Sequence, residues 1–212
     1  MARQFAQITL KVLSPLHIGS GRAGMLAKSH SFVPAHVVTY ALAAVIGKAN
    51  GGQYENFVTA LETIKKSIWC GAFFLENPAQ QGTVLLPSKD KAEIERQFLF
   101  ATNHVTLLPE SRASVEGALF EVEKISACVV RGDYQKQPTR LIGGVWFDDE
   151  QLYGRVLHDW FNECLLGGEI KTGCGRVLVE NWQTGITNYA GHGNVSADGL
   201  HIKSNGTVLG VA

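Results

Sequence analysis

No aspartate or glutamate occurs in the first 54 residues of this 212-residue chain, and no two of its four cysteines stand close enough to form a CxxC pair. The cysteines, Cys70, Cys128, Cys164 and Cys174, are 58, 36 and 10 residues apart, a spacing that matches neither a zinc knuckle nor a small disulfide framework and reads as buried free thiols. Cys174 lies among glycines, but no base stands near it in sequence to activate it. Apolar runs are cut by charge or glycine well short of the roughly 18 residues a membrane span needs, and no basic, apolar, small-residue leader opens the sequence, so a cytoplasmic protein without a membrane partner is expected. No internal repeat is visible. The HExxH pattern, the nucleophile elbow and clustered Cys/His ligands are all missing, which leaves no ready enzymatic constellation and no metal site.

What is present is a globular composition, 45% hydrophobic and 18% charged, with a net charge of zero. That zero hides an asymmetry. Residues 1–54 carry five basic side chains, Arg3, Lys11, Arg22, Lys28 and Lys48, so the remaining 14 basic and all 19 acidic residues follow, a balance of −5. A basic first part beside an acidic remainder suits a protein with one face toward a polyanion and another toward protein partners.

Hydrophobic periodicity predicts the elements. Phe5–Leu13 alternates Ile8, Leu10 and Val12 with Thr9 and Lys11, a half-buried strand. Pro34 opens a helix with the stripe Val37, Val38, Ala41, Leu42, Val45 and Ile46, ending before Gly51-Gly52, and a second helix spans 54–68. Strands are expected at 70–75 and 83–86, a short helix at 90–98, one or two strands in 118–130 and another at 141–147. Asp148-Asp149 is expected to cap a helix with the stripe Leu152, Tyr153, Val156, Leu157, Trp160, Phe161 and Cys164, Trp160 and Phe161 being core. Val177–Trp182 is the last strand, and residues 184–212 read as a terminal hairpin or flexible tail. The order is that of an α+β, ferredoxin-like (RRM-like) βαββαβ domain over 1–183, with an insertion at about 70–140 and a glycine-rich loop before the last core strand.

Two glycine loops carry the functional signal. Ser14-Pro15-Leu16-His17-Ile18-Gly19-Ser20-Gly21 follows the first strand, and Gly167-Gly168-Glu169-Ile170-Lys171-Thr172-Gly173-Cys174-Gly175-Arg176 precedes the last. Glycines at this density bend through positive φ and bare their N–H groups, while Lys171 and Arg176 supply charges that suit phosphate. The spacing is not that of a nucleotide-hydrolysing P-loop, and the loop follows a helix instead of preceding one.

The run Ile8-Thr9-Leu10-Lys11-Val12-Leu13-Ser14-Pro15-Leu16-His17-Ile18-Gly19-Ser20-Gly21, the Phe32-Val33-Pro34 entry into the first helix and the late glycine loop together resemble the RAMP superfamily, the RNA-binding subunits of CRISPR effector complexes. The resemblance covers residues 7–48 and 165–182. Within it, Glu110–Val122 resembles the S-R-x-x-x-x-G-x-L-(Y/F)-x-V stretch of the subunit that caps the guide RNA 5′ end in type III-like systems. The resemblance implies a noncatalytic subunit, without cofactor or metal, that grips the repeat-derived 5′ tag of the guide RNA (crRNA). Its implied partners are a backbone RAMP subunit and other effector subunits, and it meets target RNA or DNA only indirectly. Carried onto this chain, the RNA-binding residues are His17, Gly19, Ser20, Gly21, Arg22, Lys28, Arg112, Gly168, Lys171, Thr172, Gly173 and Arg176, with Gly175 allowing close backbone approach.

Three alternatives stand beside this reading. A repeat-processing, metal-independent endoribonuclease would use His17, His36 and Tyr40 to move protons. A backbone subunit is the second; the acid that cuts target RNA in some such subunits has no counterpart in 22–33. The third is an enzyme whose loops hold a small phosphate ligand. His30 reads as a solvent or phosphate contact, and Arg131, Lys136 and Arg140 as a further RNA-facing loop or a plain solvated hairpin.

Overall fold

The computed structural model describes residues 3–107, 114–186, 188–190, 193–195, 202–204 and 207–208. Two larger sheets, a two-stranded hairpin, a small terminal sheet and four α-helices lie among these residues. The first strand, β1 (Gln4–Val12), turns its alternating Ala6, Ile8, Leu10 and Val12 into the main core, each essentially out of contact with solvent. Next comes a hairpin, β2 (Gly19–Ala23) and β3 (Leu26–Ser29), where the sequence reads as an open loop. Glycine and serine gave this hairpin no apolar alternation to betray it.

Helix α1 (Ala35–Ala49) begins after Pro34, and α2 (Tyr54–Ser67) returns across it. The crossing is tight because Gly47 has no side chain: a Cβ there would stand 2.8 Å from the Phe57 Cα. In α2, Glu55 lies in the first turn and Lys65 and Lys66 in the last, the arrangement that complements the helix dipole.

The strand expected at 70–75 is broken into β4 (Ile68–Cys70) and β5 (Phe74–Leu75). Between them Phe73 leaves the ladder, exchanges main-chain hydrogen bonds of 2.8 Å with Val33 and lays its ring over Gly143. The strand expected at 83–86 is reduced to one bridge between Val84 and Glu76. Helix α3 (Lys91–Phe98) matches expectation and runs into β6 (Leu99–Leu107), which the periodicity did not reveal; β6 pairs with β7 (Ser114–Ile125).

β8 (Arg140–Phe147) is covered on both faces, so it reads as an apolar run instead of an alternation. After it, the helix expected from Asp148 does not form until residue 157. Asp149 accepts the Gln151 amide in a local turn, a small hairpin of β9 (Gln151–Leu152) and β10 (Arg155–Val156) follows, and Tyr153 at its tip has φ of 51°. The helix α4 is only Leu157–Asn162, though Leu157, Trp160 and Phe161 are buried as expected. β11 (Val177–Thr184) closes the main sheet, and β12 (Asn188–Tyr189), β13 (Gly193–Val195), β14 (Ile202–Ser204) and β15 (Thr207–Val208) form a small antiparallel sheet.

The main sheet runs β11-β1-β8-β4, with β5 also on β8 and every pairing antiparallel. The first strand lies between the last and third core strands, and the second is outermost, the order of a ferredoxin-like split βαβ. Helices α1, α2 and α4 pack on one face. Part of the other face is covered by Val84, Leu86 and Tyr189, which pack with Phe5, Ile142 and Trp146. The second sheet, β2-β3-β7-β6, joins the N-terminal hairpin to strands from the central segment, with β3 and β7 parallel.

Candidate functional site

The two glycine loops, some 150 residues apart in sequence, are hydrogen-bonded to each other. Gly168 donates its amide to the His17 carbonyl at 2.7 Å and Gly175 donates to Pro15 at 3.0 Å. In return, Leu13 donates to Arg176 at 2.9 Å, and the Ser14 hydroxyl accepts the Arg176 amide at 3.0 Å. On its other side the same segment pairs Leu16 with Ile125 of β7 through two main-chain bonds of 2.8 and 2.9 Å. Residues 13–18 are thus stitched between the late loop and the second sheet.

Gly167 is the residue this junction cannot replace. Its φ is +86°, and a Cβ would fall 2.3 Å from the His17 carbonyl oxygen. Beyond it the loop turns through Glu169, held left-handed at φ 57°, and a single 3-10 turn at Ile170–Thr172. The Thr172 hydroxyl donates to the Glu169 carbonyl at 2.8 Å and so closes its own turn. Lys171, Gly173 and Arg176 are exposed, whereas Cys174 is buried, which removes it as an accessible nucleophile. Gly175 is also buried: its Cβ would press on the Leu166 carbonyl at 3.1 Å, so this glycine serves packing and not approach by a ligand.

His17 is half-buried, and its Nδ1 donates to the Glu123 carbonyl at 2.8 Å, leaving Nε2 without a hydrogen-bond partner among the described residues. Glu123 also accepts the Ser29 amide at 2.9 Å, and the Ser29 hydroxyl accepts the Ile18 amide at 3.0 Å. Gly19, Ser20, Gly21, Arg22 and Lys28 are all exposed on the β2–β3 hairpin, with Lys28 opposite Gly21. Arg22, Lys28, Lys171 and Arg176 have no carboxylate partner among the described residues. Arg112 falls outside the described residues.

Between α1 and the late loop lies a cleft of about 380 Å³, lined by Gly19, His30, His36, Tyr40, Gly168 and Ile170 among others. His36 and Tyr40, one helical turn apart, therefore reach the same cleft, and His17 stands against it through Gly19 and Gly168, whose Cβ positions lie 3.7 and 3.5 Å from its ring. Sequence reasoning missed Gly167, Glu123 and Ser29. Gly167 was visible only as one glycine among several, and nothing local distinguishes Glu123 from the other charges of its strand.

The open part of the main sheet is a different surface. Arg140 is ion-paired with Glu180 and Glu76, and Lys11 lies 3.7 Å from Glu180. The Glu180 hydrogen bond is the main reason the Arg140 guanidinium is held still more firmly protonated than usual. Arg140 is thus occupied by carboxylates and is not a free phosphate contact; Arg131 and Lys136 are exposed. Among the described residues no group of three or more metal-ligating side chains converges. No helix among them is long and apolar enough to cross a membrane.

A ferredoxin-like sheet with helices on one face, elaborated by a hairpin-bearing second sheet, is the class of fold these elements define. Among solved structures, a chain of the type III-B Cmr-beta complex in its apo state superposes with a TM-score of 0.55 at 10% identity, over 84% of this chain and 96% of that one. A chain of the type III-B Cmr-beta complex bound to cognate target RNA also superposes with a TM-score of 0.55, at 9% identity, over 86% of this chain and 61% of that one. No family model matches the sequence. No curated protein matches it either. The likeness is one of fold.

Proposed function

We propose that this chain is an RNA-binding subunit of a type III-like CRISPR effector complex, holding the repeat-derived 5′ tag of the guide RNA and capping the backbone filament without cutting RNA itself. The observation that carries the reading is the junction of the two glycine loops, whose segments and adjoining hairpin carry exposed glycines and four cations, Arg22, Lys28, Lys171 and Arg176, with no carboxylate partner among the described residues. Single-stranded RNA is held by such cations and main-chain amides on phosphates. The shared fold with chains of Cmr-beta complexes, one of them bound to target RNA, supports the same reading. The net charge of zero implies that the isolated chain binds RNA weakly and that affinity develops in the assembly.

The test is to co-express the chain with its genomic neighbours and a CRISPR array, purify through a tag on this chain, and map the ends of the bound RNA. Guides protected at a fixed 5′ tag are expected; absence of RNA would sink the proposal. A second reading, the metal-independent endoribonuclease, is favoured by the convergence of His36 and Tyr40 on the cleft beside Gly168. Cutting of labelled repeat RNA by the chain alone, abolished by His36→Ala, would decide for it.

A further inference from the structure

His30 divides two clefts. It lines the one already described, and on its other side it lines a second, of about 330 Å³, which lies between the N-terminal hairpin and α3. The second is walled by Lys28 and Phe32 on one side and by Lys91 and the exposed Glu95 on the other, and it includes the half-buried Glu123. Phe32 is stacked on Phe74 with ring centres 5.6 Å apart and meets His30 edge-on at 5.3 Å, so an aromatic wall is held in place. Lys28 has no carboxylate partner among the described residues, and the one ion pair of Lys91 there is an exposed 3.8 Å contact with Glu95, too weak to hold it.

Glu123 gives the cleft its selectivity. Its main-chain oxygen takes the His17 Nδ1–H and its Oε2 takes the Ser29 amide, which fix the residue from two directions and leave Oε1 without a partner among the described residues. A carboxylate accepts hydrogen bonds and offers none. It therefore favours a base edge with adjacent N–H donors. Guanine presents two, at N1 and N2, while uracil presents one between two carbonyls. An aromatic wall for stacking, cations for phosphate and an acceptor for the base edge are the parts of a single-stranded nucleotide site.

We infer that this second cleft reads a guanine, held as an unstacked nucleotide of the bound RNA. The inference rests on the RNA-binding reading above. It is tested by calorimetric titration of the full chain with GMP, AMP, CMP and UMP, and with two short oligouridylates, one carrying a single guanosine. GMP is expected to bind about tenfold more tightly than UMP, and the guanosine-bearing strand to outbind its all-uridine counterpart. Glu123→Gln still offers an oxygen to Ser29, so it should melt as the wild type does while narrowing the GMP preference to about twofold. Lys91→Ala should weaken all four mononucleotides alike.

Equal affinities, another order of preference, no binding at millimolar nucleotide, or a GMP preference that survives Glu123→Gln would each overturn the assignment. A preference seen with mononucleotides and absent from the strand would give the pocket to a free nucleotide and overturn its role on RNA. Guide RNA recovered from the complex without any guanine preference would remove this inference alone. A guanine preference with no guide RNA in the complex would instead remove the effector reading.

Discussion

At Gly167 a single hydrogen stands where any side chain would strike main chain. Gly167→Ala is expected to cost about 2–3 kcal/mol, because it combines a disfavoured positive φ with a 2.3 Å clash against the His17 carbonyl. Gly173→Ala is the control: φ is +88° there too, but nothing stands within 4 Å of the added carbon, so only the backbone term of about 1 kcal/mol remains. Urea denaturation of the two variants separates the terms, and equal losses would mean that the junction is softer than its geometry. Lys171 and Arg176 are the converse case, exposed and structurally unburdened through their side chains. Replacing both with Ala should leave the melt unchanged and reduce the steepness with which RNA retention falls with log salt by about 1.4, at roughly 0.7 per lost phosphate contact on a single strand.

At the scale of elements, β8 shows how a strand can be covered on both faces. A Cβ on Gly143 would meet the Phe73 ring at 2.3 Å, and one on Gly144 would meet the Phe5 ring at 2.6 Å on the opposite face. Gly143→Ala is expected to destabilise by about 2 kcal/mol through overpacking, read by chemical denaturation with loss of a single cooperative transition as the extreme outcome. The elements legible in the sequence were those whose burial is periodic. β1 alternates, α1 and α2 carry apolar stripes, and Val177–Val179 marks an edge strand. The β2–β3 hairpin was illegible because its strands bury little side chain, and the late onset of α4 because Asp149 spends its oxygen on a turn two residues away instead of a helix end. Of the site, both loops were legible from composition. Their contact was not, since it is made by main-chain atoms whose pairing no local pattern announces.

For the molecule as a whole, burial sets a pH limit. Burial pushes the Cys70 thiol up to about 12, against a smaller opposing hydrogen bond from Thr39, and it pushes Cys164 and the Tyr189 phenol up as well. A thiol whose pKa is higher in the folded chain contributes stability that is complete below its unfolded value, about 8.5, and is lost as pH climbs from there toward the folded value. Stability should therefore be flat through neutrality and fall above about pH 9, by up to ~1.4 kcal/mol per pH unit for each such thiol. Urea midpoints between pH 7 and 10.5 measure this, and a midpoint independent of pH would refute the burial. In the native protein a thiol reagent should reach Cys128, which is half-buried, well before Cys70, Cys164 or Cys174.

The place of β1 between β8 and β11 has a consequence for synthesis. The first core strand to leave the ribosome is the last to be flanked, since both neighbours lie more than 125 residues downstream. Until they emerge, its amides and carbonyls have no ladder, and the cost of closing so long a loop must be met before any pairing returns it. The glycine-loop junction is made by the same closure, because Arg176 leads directly into β11. A nascent chain therefore has no assembled junction until its sheet is complete, and a chain that stalls in translation before β11 lacks the paired loops altogether.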